Sequence, residues 1–252
     1  MKCRLSTRGA HKAFIAAGFC PGMRGSLIVI EGADSSGKAT QAALLAKRLG
    51  EEGHEVHTLD FPQYDSFFGK HVARFLRGEY GSLDQVHPEL ASMLFALDRF
   101  SQKEKLKGWL DEGAVVVLNR YMESNMAHQG AKLDGEERKR LVAWLRELEV
   151  GQLGLPPADL VIYLHVPTEQ SQRIISGRGR KGYLAGKEKD IHESDRSYQE
   201  RCVQTYLELH GANPHWRLVE CAENGALLPR EDIHSRVWDS VREHLAHRHR
   251  GD

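Results

Sequence analysis

Short apolar runs alternate with longer stretches in which apolar residues return every three or four positions, from about residue 25 almost to the end of the chain. Runs of that length suit strands buried on both faces, and the 3.6-residue period suits helices packing one stripe against them. The pattern predicts strands over 27–31, 56–61, 115–119, 160–166 and 217–221. It predicts helices over 38–52, 69–76, 88–112, 135–149, 168–176, 194–210 and 230–246. Strand and helix in alternation build βα units, so the expected fold is a three-layer α/β sandwich: a five-stranded, mainly parallel sheet with helices on both faces. One stretch has no apolar period, GRGRKGYLAGKEKDIHE over 177–193. It is too long and too charged for an ordinary connection and predicts a mobile lid inserted over a site.

Charge narrows the candidate functions. The 252-residue chain has 35 Lys and Arg against 35 Asp and Glu, a formal net charge of zero. No global basic field is available to hold a nucleic acid or an anionic membrane, so any phosphate binding has to be local. The longest apolar runs are strand-sized, far below the roughly 20 residues of a membrane-spanning helix. Neither nucleic acid nor membrane is an expected partner. Cys3, Cys20, Cys202 and Cys221 lie far apart with no CxxC pair, which argues against a disulfide framework or a cysteine zinc site and fits a reducing compartment. Fourteen histidines form no HExxH, and no histidine metal site is assigned. Residues 1–24 contain Lys2, Arg4, Arg8, His11, Lys12 and Arg24 and no carboxylate, a bias shared with transit peptides. Gly9, Gly18, Pro21 and Gly22 interrupt any amphipathic helix there. The preferred reading is a basic, disordered N-terminal extension, or a start placed upstream of Met23, before a single domain over 25–252.

The first strand runs directly into Gly32-Ala33-Asp34-Ser35-Ser36-Gly37-Lys38-Ala39-Thr40, and a helix-forming run follows. That strand, loop, helix order gives a GxxxxGK motif its meaning. Gly32 and Gly37 can take the backbone angles that turn successive N–H groups into a nest for phosphate oxygens. The helix N-terminus adds partial positive charge, and Lys38 can reach the β and γ phosphates. Gly32, Ser35, Ser36, Gly37, Lys38, Ala39 and Thr40 are therefore the candidate nucleoside-triphosphate-binding residues of a P-loop NTPase-type sheet, the ATP-binding set if the acceptor-side motifs further along the chain belong to an ATP-dependent kinase. Ala39 stands where a Ser or Thr hydroxyl normally ligands Mg²⁺. Either Thr40 substitutes, or the ion is held by water, phosphate oxygens and a carboxylate such as Asp34. Asp34 and Thr40 are the candidate metal ligands.

No NKxD guanine signature is present. Instead Asp60-Phe61-Pro62-Gln63-Tyr64 ends the second strand, Leu94-Phe95-Ala96-Leu97-Asp98-Arg99 lies in a helix, and Asn119-Arg120-Tyr121 closes the third strand and runs on towards Gly130. All three belong near the carboxyl edge of a parallel sheet, where α/β proteins bind ligands. Aromatic faces, two arginines and amides are the equipment for one base and one phosphate. Phe95, spaced with Leu90, Leu94 and Leu97, fits a core aromatic on periodicity alone, but an arginine as close to that stripe as Arg99 wants an acceptor.

With these motifs in this order, over about residues 27–221, the chain resembles the thymidylate kinase family, in particular bacterial members whose phosphate loop lacks an arginine. The resemblance implies ATP-dependent conversion of dTMP to dTDP by a cytoplasmic homodimer with a flexible lid, or a mitochondrial one if the extension is a transit peptide. It also implies roles by position. Asp34 would contact the dTMP sugar hydroxyl and the magnesium sphere. Phe95 would stack on thymine and Arg99 would bond its edge. Arg120 would clamp the acceptor phosphate, Phe61 and Tyr64 would wall the site, and Ser124 and Asn125 would face the base. Catalytic charge would come from Lys38, Arg120 and a lid arginine, Arg178 or Arg180, with Arg173 as a third candidate; spacing does not choose among them. The chain departs from the family pattern at Ala39, at Asn119 where an Asp is usual, at Gln63, and at His128 where a Tyr or Phe usually presses on the sugar. A kinase of another nucleoside monophosphate or of a deoxynucleoside is the alternative activity. A nucleotide-binding protein that has lost catalysis is the alternative class, permitted by Ala39 and Asn119.

Overall fold

The computed structural model describes residues 24–171, 182, 191, 192 and 195–248. Strand β1, Ser26–Glu31, is buried along its whole length and forms the middle of a five-stranded sheet. Its neighbours are β3, Val115–Asn119, and β4, Leu160–His165, with β2, Val56–Asp60, and β5, Trp216–Glu220, at the edges. All four pairings are parallel, in the order β2-β3-β1-β4-β5. A two-stranded antiparallel hairpin, β6 at Ala222–Glu223 and β7 at Ala226–Leu227, stands apart from the sheet and was not expected from the sequence.

Strand geometry sends alternate residues to opposite faces, and both faces here are apolar. Leu27, Val29, Val116, Leu118, Val161 and Tyr163 lie in one core. Over it pack α4, Lys103–Asp111, α5, Met122–Gly130, α6, Gly135–Arg146, and α7, Arg196–Ala212. Ile28, Ile30, Val115, Val117, Ile162 and Leu164 form the other core, under α1, Lys38–Glu51, and α8, Arg230–Arg248. Helices α2, Phe67–Leu76, and α3, Pro88–Phe100, pack on each other around Val72, Phe75 and Ala91. Connections leave β1 towards one edge of the sheet and β3 towards the other, so the crevice for a ligand opens at the carboxyl ends of these two strands.

The expected helix over 88–112 is two helices. The Ser101 hydroxyl donates to the Asp98 carbonyl at 2.7 Å, a local bond that competes with the helical ladder and lets the chain turn before Lys103. The helix expected over 135–149 stops at Arg146 and passes into a π-helical turn, Glu147–Gln152. Of the helix expected over 168–176, residues 168–171 are described and are helical. Helix α5 was not expected. All nine of its residues are buried, and a helix enclosed on every side shows no polar stripe. The 177–193 lid, apart from positions 182, 191 and 192, and the extension before Arg24 lie outside the described residues. No helix among the described residues is long and apolar enough to cross a membrane.

Candidate active site

The glycine loop joins the carboxyl end of β1 to α1. Gly32 has φ +154°, and a Cβ there would come within 2.5 Å of Ser36 Oγ and 2.8 Å of the Leu164 carbonyl, so no side chain fits. Gly37 caps α1 with φ +86°, and Ser35 also has positive φ, +62°. These angles fold the loop back over the helix N-terminus, as an anion nest requires. Lys38 is buried, and its Nζ donates to the Gly32 carbonyl at 3.0 Å, the Ala33 carbonyl at 2.7 Å and Ser36 Oγ at 3.4 Å. The cation is thus held at the centre of the loop. Ala39 and Thr40 are exposed on the first turn of α1.

Beside the loop lies a pocket lined by Asp34, Phe61, Tyr64, Phe95, Arg99, Arg120, Ser124 and Asn125, the acceptor-site residues expected from the sequence. Arg120 leaves β3 with φ +66°, its N–H bonded to the Ile30 carbonyl at 3.1 Å. This turn aims the side chain back at the phosphate loop, where Nη2 donates to Asp34 Oδ1 at 2.5 Å. Nη1 donates to Ser124 Oγ at 3.2 Å and faces His128 Nε2 at 3.3 Å. Burial works against the Arg120 charge, but the Asp34 carboxylate, with Tyr206 and Glu31, outweighs it and leaves the guanidinium's pKa raised. Asp34 Oδ2 also accepts from Gln199 Nε2 at 3.4 Å. A partly buried, doubly anchored ion pair therefore links the phosphate loop to the end of β3.

On α3, Phe95 and Arg99 are one helical turn apart and both face the pocket. Phe95 packs edge-on against Phe75, with ring centres 6.0 Å apart. Arg99 has found a protein acceptor: Nε and Nη2 bind the two oxygens of Glu149 at 2.6 and 2.7 Å, with both side chains almost wholly buried. Nη1 and the second N–H of Nη2 remain for a ligand, a narrower role than the sequence suggested. Asp98, the preceding residue, accepts from Gln63 N at 2.8 Å and Ser66 Oγ at 2.9 Å, which fixes the turn carrying Tyr64. Burial raises the Asp98 pKa, against the pull of those two bonds.

Sequence reasoning missed the carboxylate that holds the site's back wall. Glu31, the last residue of β1, is fully buried. One oxygen accepts from Tyr121 N at 2.8 Å and Ser124 N at 3.0 Å, the other from Ser124 Oγ at 2.7 Å and the Tyr206 hydroxyl at 2.8 Å. A negative charge thus sits on the N-terminal N–H groups of α5, where the helix dipole favours it. This helix presents Ser124, Asn125, His128 and Gln129 to the pocket. Asn125 donates to the Ser92 carbonyl and to Glu149 Oε1, both at 3.1 Å, while its Oδ1 and both amide atoms of Gln129 are buried without a partner. Buried unpaired amides in a pocket wall are the groups that a ligand edge satisfies. Their i, i+4 spacing in the sequence was the available signal for Gln129. Arg178, Arg180 and Arg173 lie outside the described residues.

The sequence profile of the family described as thymidylate kinase matches residues 30–233. A thymidylate kinase of Mycobacterium tuberculosis is 34% identical over 196 residues, spanning 77% of this chain and 90% of the relative. A probable thymidylate kinase of Thermococcus gammatolerans is 34% identical over 229 residues, spanning 88% and 98%. The solved structure of thymidylate kinase from Candida albicans matches the fold with a TM-score of 0.67 at 22% identity, over 88% of this chain and 94% of that one.

Proposed function

The chain belongs to the thymidylate kinase family, and from that premise we propose how its pocket passes a phosphoryl group from ATP to dTMP. The ATP triphosphate lies in the loop of residues 32–40, with Lys38 against the β and γ phosphates. The acceptor enters the adjoining pocket, its thymine stacked on Phe95 and its edge facing Asn125, Gln129 and the free Nη1 of Arg99. Its phosphate seats at Arg120, taking donors that Asp34 now accepts. Phe61 and Tyr64 close the walls. One acceptor-phosphate oxygen attacks the γ-phosphorus in line as the bond to the β-phosphate oxygen breaks, giving dTDP and ADP without a protein nucleophile. Positioning and charge supply the catalysis. Arg178 and Arg180 remain the candidates for a further cation.

Mg²⁺ is part of the same proposal. The oxygen donors at hand suit a hard dication: the Asp34 carboxylate, the Thr40 hydroxyl on the exposed first turn, and the buried, unpartnered Oδ1 of Asn119. When bound, the ion neutralises charge on the β and γ phosphates. A homodimer is supported by an apolar stripe on α3, where Leu90, Met93 and Phe100 are exposed at helical spacing beside the exposed Phe67 of α2. A cytoplasmic location fits the buried free thiols of Cys202 and Cys221.

The observation that carries this reading is the Asp34–Arg120 ion pair, which makes the donor loop and the acceptor-phosphate seat one structure. Release of ADP, measured with dTMP, dUMP, dCMP, dGMP, UMP and thymidine as acceptors, tests it. The reading requires dTMP to give the highest kcat/KM. Faster turnover of thymidine would place a hydroxyl, rather than a phosphate, at Arg120, and no turnover with any acceptor would leave a binding protein.

A further inference from the structure

Arg120 can only donate hydrogen bonds, so the direction its fork points is set by the acceptors around it. Nη2 has Asp34. Nη1 has two neighbours, Ser124 Oγ and His128 Nε2. Ser124 also donates its hydroxyl to Glu31, so its oxygen alone is a weak fix for the plane of the fork. The second acceptor has to be the histidine ring, and that holds only if Nε2 carries a lone pair.

The far side of the ring decides this. The Tyr198 hydroxyl donates to the His128 backbone carbonyl at 2.8 Å and lies 3.3 Å from Nδ1. Its one proton is spent on the carbonyl, so its oxygen faces the ring as an acceptor and Nδ1 must carry the hydrogen. Arg120 imposes the same tautomer from the other side, because an Nε2–H would confront an N–H. Cys202 Sγ, 3.6 Å from Nδ1, is compatible as a weak acceptor. The ring is clamped in plane by His192, stacked 5.2 Å away at 14°, and by the edge contact with Tyr206. Burial, then Arg120 and His192, hold the His128 pKa well below its ordinary value.

Resting on the reading of Arg120 as the acceptor-phosphate clamp, we propose that His128 is the positioning residue for that arginine and that Tyr198 sets its tautomer. Two residues of separate elements, α5 and α7, thereby fix one guanidinium through a single ring. Tyr198 stands at the start of α7, its own N–H capped by Asp195 at 3.0 Å, so the N-terminal turn of α7 is tied mechanically to the acceptor site.

Steady-state kinetics on H128F, H128Q, Y198F and the H128Q/Y198F double variant test this, with R120M as the reference. Phenylalanine keeps the stacking and removes the acceptor, so H128F should raise the KM for dTMP by about tenfold, the size of a lost bond to a charged group, and leave the KM for ATP unchanged. Glutamine places an amide oxygen near the position of Nε2, so H128Q should recover most of that loss. Y198F should raise the dTMP KM by a smaller factor in the wild-type background and by less still on H128Q, because there only its bond to the residue-128 carbonyl remains and the ring contact is gone. Equal values for H128F and wild type, equal values for H128F and H128Q, or the same effect of Y198F in both backgrounds would each overturn the proposal. Should H128F fail to fold in a melting assay, the Y198F and H128Q cycle decides alone. If R120M leaves dTMP binding intact, the clamp reading itself fails; if R120M weakens it and H128F does not, only the positioning role does.

Discussion

Removing Glu149 should cost far more than its distance from the phosphates suggests. Its side chain is fully buried, and it holds the Arg99 guanidinium, itself only 3% exposed, by two bonds of 2.6 and 2.7 Å while accepting a third from Asn125 at 3.1 Å. Glu149→Ala leaves a buried guanidinium without the carboxylate that holds it by two bonds. Breaking one side of such a pair costs about 3–5 kcal/mol. At roughly 2–4 °C per kcal/mol for a chain of this size, the melting temperature should fall by about 10 °C. The double variant Arg99→Met/Glu149→Leu removes both charges and fills the space, so it should melt clearly above the single variant, since desolvation offsets most of the pair's attraction. Thermal and urea unfolding of the three proteins measure this. A Glu149→Ala protein within about 1 kcal/mol of wild type, or a double variant no more stable than the single, would refute the account of Arg99 as a buried structural cation.

Glu123 on α5 gives a pH signature. Burial, aided by the Glu31 and Glu149 charges, pushes its carboxyl up to about 8, whereas in the unfolded chain it ionises near pH ~4.3. The folded state thus binds the extra proton between those values. Stability from this group is complete below pH ~4.3 and is lost as pH rises to about 8. Glu123→Gln mimics the protonated acid, so its melting temperature relative to wild type should climb from pH 5 to pH 8; a pH-independent difference contradicts the assignment. Phe95→Ala should raise the dTMP KM by about the 1–3 kcal/mol of a base stack and leave the ATP KM alone; a stability loss with unchanged dTMP KM in the surviving enzyme would return Phe95 to the core. Lys38→Ala should fold normally and lose at least about a hundredfold in turnover, and near-normal turnover would remove the phosphate-loop reading.

The sheet was legible because its strands are buried on both faces and read as continuous apolar runs: β1 and β3 fall within one residue of expectation. The phosphate loop was equally plain, since its glycines, lysine and flanking strand and helix are contiguous in the sequence, and the positive φ at Gly32 and the contact with Ser36 Oγ are set within that loop. Helix α5 was not, because MESNMAHQG is enclosed on all sides and mixes amides and methionines without a period. Nor were the pairings that organise the site. Glu31 with Tyr206 spans 175 positions, and Arg99 with Glu149 spans 50. Each carboxylate taken alone reads as a strand-end or helix-surface charge, and only the packing of α5 between them shows that both are fully buried. Arg120 was placed correctly at the end of a strand, but its left-handed backbone and its contact with Asp34 follow from tertiary packing.

The central claim is that Arg120 seats the acceptor's phosphate beside the donor loop. Equilibrium binding of dTMP and of thymidine, measured calorimetrically on wild type and on Arg120→Met, tests it most directly. The account requires the substitution to weaken dTMP by tenfold or more, as expected for loss of charge-assisted bonds, and to leave thymidine binding within about twofold, because the nucleoside has nothing for Arg120 to hold. An equal loss for both ligands would mean that Arg120 shapes the pocket without touching the phosphate, and the proposed seat would be wrong.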